Sequence, residues 1–568
     1  MSNADPVIVE EVTTFESSYQ TLEPTSEVLE EASPITARLN AIVLACLGMI
    51  LPIWFGGVHA PLYLTAYFLV FTLVLVNLFS NSALLTRIFT HNAATRLVAT
   101  GLLGFLIYCS LQYCAYFFFA IDHPVLGRIS AIPDSSAFLS GVLSIGFFIG
   151  CFALFTIFLH SSKSSEARLL GFAKFMALTV SLIALSHWFS DNGKLFWTFE
   201  PENIFESKRA RWPFVNSNHL AHFLLPLLLL VCAEIVLNFE KLKEIGVGSR
   251  SRARVRRPPA VSPAQVLSRI VLSSRAQSRV LNMSFGVILC LAALIAVLAS
   301  LSRGGWLGLA IGAIFFVFCE RLVKERSELG LPEDAAPLQE REVQAEFLED
   351  GRRSRRRRGR TKAIDHAQQM LFILQRSFRP LLLILALFVL YLFLKGQGQD
   401  LILGRIDYGL MYSKDDMRWQ MYSDTIPMIK ENPVFGVGLG GWLTLFHSKM
   451  SPLLSGLDPV YLHSDPMQLL AECGLAGVLV FITPLVLVGV RAVSAIRQKS
   501  LSLATRTRLA GLLCGFSALV IASFLDFPFR IPAVCFMAAS LLALTTFYID
   551  SLSGVSSKNS SSNAPTPS

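Results

Sequence analysis

The strongest constraint on this chain is a set of apolar runs too long for a water-soluble core. LNAIVLACLGMILPIWFGGV (39–58), LLGFLIYCSLQYCAYFFFA (102–120) and FLSGVLSIGFFIGCFALFTIFL (138–159) contain no Asp, Glu, Lys or Arg. About 20 such residues, coiled as a helix, cross the roughly 30 Å hydrocarbon layer of a bilayer. Lipid offers no partner to backbone N–H and C=O groups, so every crossing segment must be helical. Comparable runs recur to residue 549, in a chain that is 53% hydrophobic and 16% charged with a mean hydropathy of +0.54. The expected fold class is an all-α integral membrane protein of about twelve transmembrane helices. They are placed near 40–57, 61–80, 98–120, 138–160, 168–190, 219–238, 283–302, 305–323, 378–396, 466–490, 508–525 and 531–549.

Lys and Arg placement orients the bundle, because cytoplasmic connections collect positive charge. The connection 239–282 carries RSRARVRR and ten basic residues against two acidic ones, and 324–377 carries GRRSRRRRGR. With both chain ends inside, these connections, RAVSAIRQKS and RTR all fall on the cytoplasmic side. The net charge of +9 therefore reads as an orientation signal and not as a nucleic-acid footprint, with anionic lipid headgroups as a secondary partner. The expected organisation begins with an acidic, disordered cytoplasmic tail (1–37) that lacks the basic start of a cleaved signal. Membrane helices 1–8 follow (38–323, with the basic loop 239–282), then the Arg-rich cytoplasmic loop 324–377. Helices 9–12 (378–549) enclose a large outer loop, 397–465, between predicted helices 9 and 10, and a Ser-rich cytoplasmic tail closes the chain (550–568).

The ten cysteines lie almost all inside apolar runs with no C-x-x-C pair, so they read as small hydrophobes and not as a zinc site or a disulfide framework. In ENPVFGVGLGGWLTLF, Gly436, Gly438 and Gly441 spell the G-x-G-x-x-G of a dinucleotide-binding turn. That turn needs a preceding strand and a supply of nucleotide. Here the preceding DDMRWQMYSDTIPMIKENP reads as a surface helix, with Asp415 and Asp416 at its start and Asn432-Pro433 at its end, on the outer side. The glycines are better explained by close packing of backbone against the membrane helices.

Four stretches place basic, imidazole and amide groups on the outer side. They are SLSRGGWLGL with Arg303, the surface helix with Arg418 and Trp419, YLHSDPMQLLAECGLAG with His463, and RWPFVNSNHLAHF with Asn216, Asn218, His219 and His222. Arginine keeps its charge and grips phosphate oxygens with a bidentate fork. A histidine can take a proton from a hydroxyl nucleophile. Blander readings exist for each: a snorkelling anchor for Arg303, a solvated charge for Arg418, an interfacial polar residue for His463. His463-Ser464-Asp465 is not a hydrolase triad, which is assembled in space and not from adjacent residues.

In this order and at these span positions, FVNSNHLAHF, SRGGWLGL, RWQMYSDTIPMIKENPVFGVGLGGW and HSDPMQLLAECGLAG resemble the O-antigen ligase and polymerase family of bacterial membrane glycosyltransferases. The likeness runs over roughly 200–490; the long Arg-rich loop 324–377, and a serine where many relatives have asparagine after the histidine, depart from it. The resemblance implies transfer of a glycan from a polyprenyl-pyrophosphate carrier such as undecaprenyl pyrophosphate to an acceptor hydroxyl. That would serve lipopolysaccharide or other cell-envelope polysaccharide synthesis, on the periplasmic face of a bacterial inner membrane. It implies catalytic roles for Arg303, Arg418 and His463. Substrate contacts are expected from Arg303, Arg418, Trp419, Asn216, Asn218 and His219. The partners would be the lipid-linked glycan, a lipid or glycan acceptor and the membrane, with no metal, nucleotide or nucleic acid. The alternative is a transporter or flippase for the same lipid-linked oligosaccharide.

Overall fold

The computed structural model describes residues 33–118, 122–123, 127–128, 135–190, 209–247, 274–328, 417–454, 459–498 and 500–561. Its helices, in chain order, are α1 (Pro34–Ile53), α2 (Ala60–Ser80), α3 (Ser82–His91), α4 (Ala93–Phe118), α5 (Ser135–Ser161), α6 (Ser165–Ser190) and α7 (Ser217–Val247). They continue with α8 (Ser274–Ala299), α9 (Arg303–Glu328), α10 (Met417–Glu431), α11 (Gly441–Lys449), α12 (Asp465–Ile496), α13 (Leu503–Ser523) and α14 (Pro532–Ser561). A two-residue antiparallel pairing, β1 (Asp122–His123) with β2 (Gly127–Arg128), is the one sheet among the described residues.

Eleven of these helices, all but α3, α10 and α11, are long and apolar enough to cross a membrane. They coincide with eleven of the twelve predicted spans. The twelfth, 378–396, lies outside the described residues, as do Asp415, Asp416 and most of the tail 1–37 and the loop 324–377. The chain is thus a multi-pass, helical membrane protein. Proline in the first turn of α1, α2 and α12 costs no hydrogen bond there, because those amides have no intrahelical partner. The helix α3, absent from the expectation, is too short to span; it turns Leu84 and Ile88 inward against Ile157 of α5.

The helices α7 and α14 form the centre, with 89% and 94% of their most apolar stretches buried, against 22% for α9 at the periphery. Close approach holds α9, α13 and α7 together: a Cβ on Gly308 would meet the Ala518 carbonyl, and one on Gly515 would meet Pro226. Six cysteines face one another across helix contacts: Cys232 with Cys290 (3.6 Å), Cys109 with Cys473 (4.0 Å), and Cys319 with Cys514. All ten are free thiols.

One end of the bundle gathers the connections that matter for the site. There Ala210 N donates to Ala299 O (2.9 Å), Ala533 N to Gly56 O (3.1 Å) and Asp465 N to Asp526 O (3.1 Å). The opposite end holds an ion network in which Arg508 bonds Glu234 and Glu166, both at 2.6 Å, and the Tyr548 hydroxyl donates to Glu166.

The glycine-rich loop packs into a break in α12. Gly474 is non-helical there (φ 61°, ψ −175°), and the carbonyls it frees need partners. Val437 N and Gly438 N donate to Ala471 O and Glu472 O (2.9 and 2.8 Å), while Leu475 N and Ala476 N donate to Pro433 O and Val434 O (both 2.9 Å). From α4, Tyr108 and Gln112 donate to Cys473 O and Glu472 O, and Tyr116 to Gly436 O. A Cβ at Gly436 would stand 2.5 Å from the Glu472 carbonyl. The glycines are therefore there for backbone contact, as the loop's position implied.

Candidate functional site

The S-R-G stretch becomes a tight turn between α8 and α9. Leu301 adopts a left-handed conformation (φ 52°), and Ser302 Oγ accepts from Gly305 N (3.1 Å), satisfying one orphan amide at the start of α9. Arg303 is the first residue of α9 and is half-buried. Arg209 braces the turn from outside, donating to Ser300 O (2.8 Å), Leu301 O (3.4 Å) and Asn218 Oδ1 (2.9 Å). Asn216 accepts from Asn218 N (2.9 Å) and so caps α7.

The surface helix α10 is clamped to α11 and the start of α12 by Met421, Met428, Trp442, Phe446 and Leu462. This fixes Arg418, whose Nη1 donates to Leu525 O at the end of α13 (2.8 Å). One turn on, the Tyr422 hydroxyl donates to His463 O (2.7 Å). His463 itself has a left-handed backbone (φ 58°), an uncommon conformation for a residue with a side chain. Its Nδ1 lies 3.2 Å from Asp526 Oδ1, and its ring packs edge-on against Phe527. His219 packs against the same phenylalanine.

Asp526, in the short connection between α13 and α14, is 1% exposed. Burial alone would push its carboxyl up, yet the hydrogen bond from His463 and the fields of His222, Arg418 and His219 hold it well below the ordinary carboxylate range. An ionised carboxylate only accepts, so His463 Nδ1 is the donor in this pair. Asn218, Ser302, Arg303, Gly304, Arg418, Leu525 and Asp526 line one cleft.

Beside this cleft a second network steadies the start of α12. Arg530 reaches Glu472 (3.2 Å) and Asp465 (3.6 Å) and lies over the Tyr461 ring. Burial works against the Arg530 charge, but Glu472 and Asp465 outweigh it and raise its pKa.

The structure thus brings Arg303, Arg418 and Asn218 into one cleft, with His463 joined to it through Asp526. Asn216 is a helix cap, His219 is buried behind the cleft, and Trp419 stands outside the lining, exposed and edge-on to Tyr422. Asp526, Arg209 and Tyr422 did not stand out in the sequence. Asp526 had a usable signal, an acidic residue in the short apolar FLDFPF between two spans.

Fold and site define a multi-pass membrane protein with a cleft at one end of the bundle, lined by two arginines and by a buried carboxylate that bonds an imidazole. The family model described as O-Antigen ligase matches residues 354–482, which supports the resemblance drawn from the sequence. That stretch includes Arg418, the glycine loop and His463, while Arg303, Asn218 and Asp526 lie outside it. A search of curated proteins found no match to the chain.

Proposed function

We propose that this protein is a glycosyltransferase of the O-antigen ligase or polymerase type. It would move a glycan from a polyprenyl-pyrophosphate carrier, such as the undecaprenyl form, to an acceptor hydroxyl in lipopolysaccharide or another surface polysaccharide. The cleft would face the periplasm of a bacterial inner membrane, an orientation that the Lys and Arg asymmetry of the sequence supports. The observation that carries the reading is the joining of a cleft lined by Arg303 and Arg418 to an imidazole held by a buried carboxylate. His463 Nε2 takes the acceptor proton, and the acceptor oxygen attacks the anomeric carbon. The bond from that carbon to the pyrophosphate oxygen breaks, and its electron pair leaves with the carrier. Arg303 and Arg418 hold the charge that grows on the pyrophosphate, an interaction stronger in the transition state than before it. Direct attack inverts the anomeric centre. The scheme uses no metal or nucleotide.

The transporter reading gains one point from the broken helix α12, since transporters build sites at such breaks. In this chain, however, the freed carbonyls of Ala471, Glu472 and Cys473 are taken by loop amides and by α4. The break serves packing.

The test is release of polyprenyl pyrophosphate by the purified protein in lipid, given a carrier-linked glycan and candidate acceptors. Arg303→Ala, Arg418→Ala and His463→Ala should each slow release by about 100–1000-fold. The molecule that gains sugar separates ligase, polymerase and protein O-glycosyltransferase. Full activity in Arg418→Ala removes that residue from the scheme, and no release by folded wild type with matched acceptors favours transport.

A further inference from the structure

Around Asp526, which lines the cleft, lies a group of polar atoms that the scheme above does not use. Asp526 Oδ2, His219 Nε2 and both ring nitrogens of His222 are buried and have no hydrogen-bond partner among the described residues. Asp526, His219 and His222 are 1%, 6% and 0% exposed. Buried polar groups are nearly always satisfied, so several orphans in one place point to a shared ligand. Residues four apart on a helix share a face, and Asn218, which lines the cleft, stands four before His222 on α7. His222 therefore sits one turn beneath the cleft floor. It interacts electrostatically with Asp526 and Arg418, and His219 with Asp526, His222 and His463.

We propose that Asp526 Oδ2, His222 and His219 together bind ordered water, and that His222 is thereby a positioning residue for the His463–Asp526 pair. A buried water needs two to four polar partners, and these groups supply an anionic acceptor and imidazole nitrogens able to donate or accept. Asp526 Oδ1 already accepts from His463 Nδ1 and from Phe527 N (3.0 Å). With Oδ2 held from the far side by His222 through water, the carboxylate is gripped at both oxygens. It then holds His463 in the Nδ1–H tautomer, the form whose Nε2 can accept a proton. The asparagine- and histidine-rich NSNHLAH segment thus acquires a role beyond the cap at Asn216 and the lining at Asn218. His222 touches no substrate and acts through Asp526.

This inference rests on the glycosyl-transfer reading for its rate effect, so one of its two measurements is independent of activity. The first uses His222→Phe, which fills the space with an apolar ring, and His222→Gln, which restores amide donors and an acceptor. In carrier-release assays, His222→Phe should lower kcat by about 10–100-fold with the carrier KM unchanged. His222→Gln should recover most of the rate. The second measurement is ¹⁵N NMR of histidine-labelled protein, with the His463 signal assigned by its loss in His463→Ala. Wild type should show the Nδ1–H tautomer at neutral pH, and His222→Phe a mixture.

An unchanged kcat and tautomer in folded His222→Phe overturns the proposal. So does a folded His222→Gln no more active than His222→Phe, which would mean that only packing matters. If His222→Phe does not fold, His222→Gln carries the test alone, and an unfolded His222→Gln also overturns the proposal. If wild type releases no carrier, the glycosyltransferase reading fails, and the tautomer comparison still decides the role of His222.

Discussion

Replacing Asp526 with asparagine keeps the side-chain shape and removes one negative charge at the centre of the site. Asp526 accepts from His463 at 3.2 Å and from Phe527 N at 3.0 Å through the same oxygen. At a charge separation of about 4 Å and an effective dielectric of about 20, the carboxylate stabilises a protonated His463 by ~4 kcal/mol. Each ~1.4 kcal/mol is tenfold in rate, so losing all of it slows proton removal by ~1000-fold. Solvent reaches part of the imidazole, 28% of whose side chain is exposed. That reduces the effect towards ~100-fold. Asparagine can also turn its NH₂ toward Nδ1 and select the opposite tautomer, which pushes the loss back up. Asp526→Asn should therefore lower kcat for carrier release by ~100–1000-fold and leave the carrier KM nearly unchanged, since Arg303 and Arg418 remain. Single-turnover release measured on protein with a native melting profile is the assay. A folded Asp526→Asn that retains a third or more of the wild-type rate would refute the coupling of Asp526 to His463.

Other outcomes follow from the same structure. The folded-state pKa of Asp526 is depressed, so its contribution to stability is complete above its unfolded value of about 4 and is lost as pH falls below that. The melting temperature of wild type should accordingly fall more steeply between pH 4 and pH 2 than that of Asp526→Asn, and parallel curves would contradict this. Gly474→Ala adds a Cβ at φ 61° against the Val434 carbonyl and should destabilise by ~1–3 kcal/mol or more, read as a lower melting temperature. Arg530→Ala strands Glu472, 1% exposed, beside Asp465 and should cost ~3–5 kcal/mol, whereas Arg530→Ala with Glu472→Gln should recover part of it. Tyr422→Phe removes the hydrogen bond to His463 O and should lower kcat by ~5-fold, a loss of ~1 kcal/mol in holding the strained residue.

What the sequence determined by itself is the part of this protein that depends on local properties of the chain. Hydropathy over 20 residues is a sum over neighbours, and the bilayer admits only helices, so eleven spans were legible without knowing how they pack. The helix over Met417–Glu431 was legible as well, bounded by Asp415-Asp416 and Asn432-Pro433, and so was the refusal of a dinucleotide turn at Gly436. Arg303, Arg418 and His463 could be singled out because each sits in a compact motif. Tertiary structure alone decided which groups meet. His463 finds Asp526 63 residues away, Arg418 finds Leu525 across 107, and Tyr108 reaches the carbonyl freed at Cys473 across 365. None of these pairs has a periodic or motif signature, because a hydrogen bond is fixed by where two helices end in space and not by their spacing along the chain. For the same reason the sequence could not tell that Asn216 caps α7 or that Trp419 stands outside the lining of the cleft.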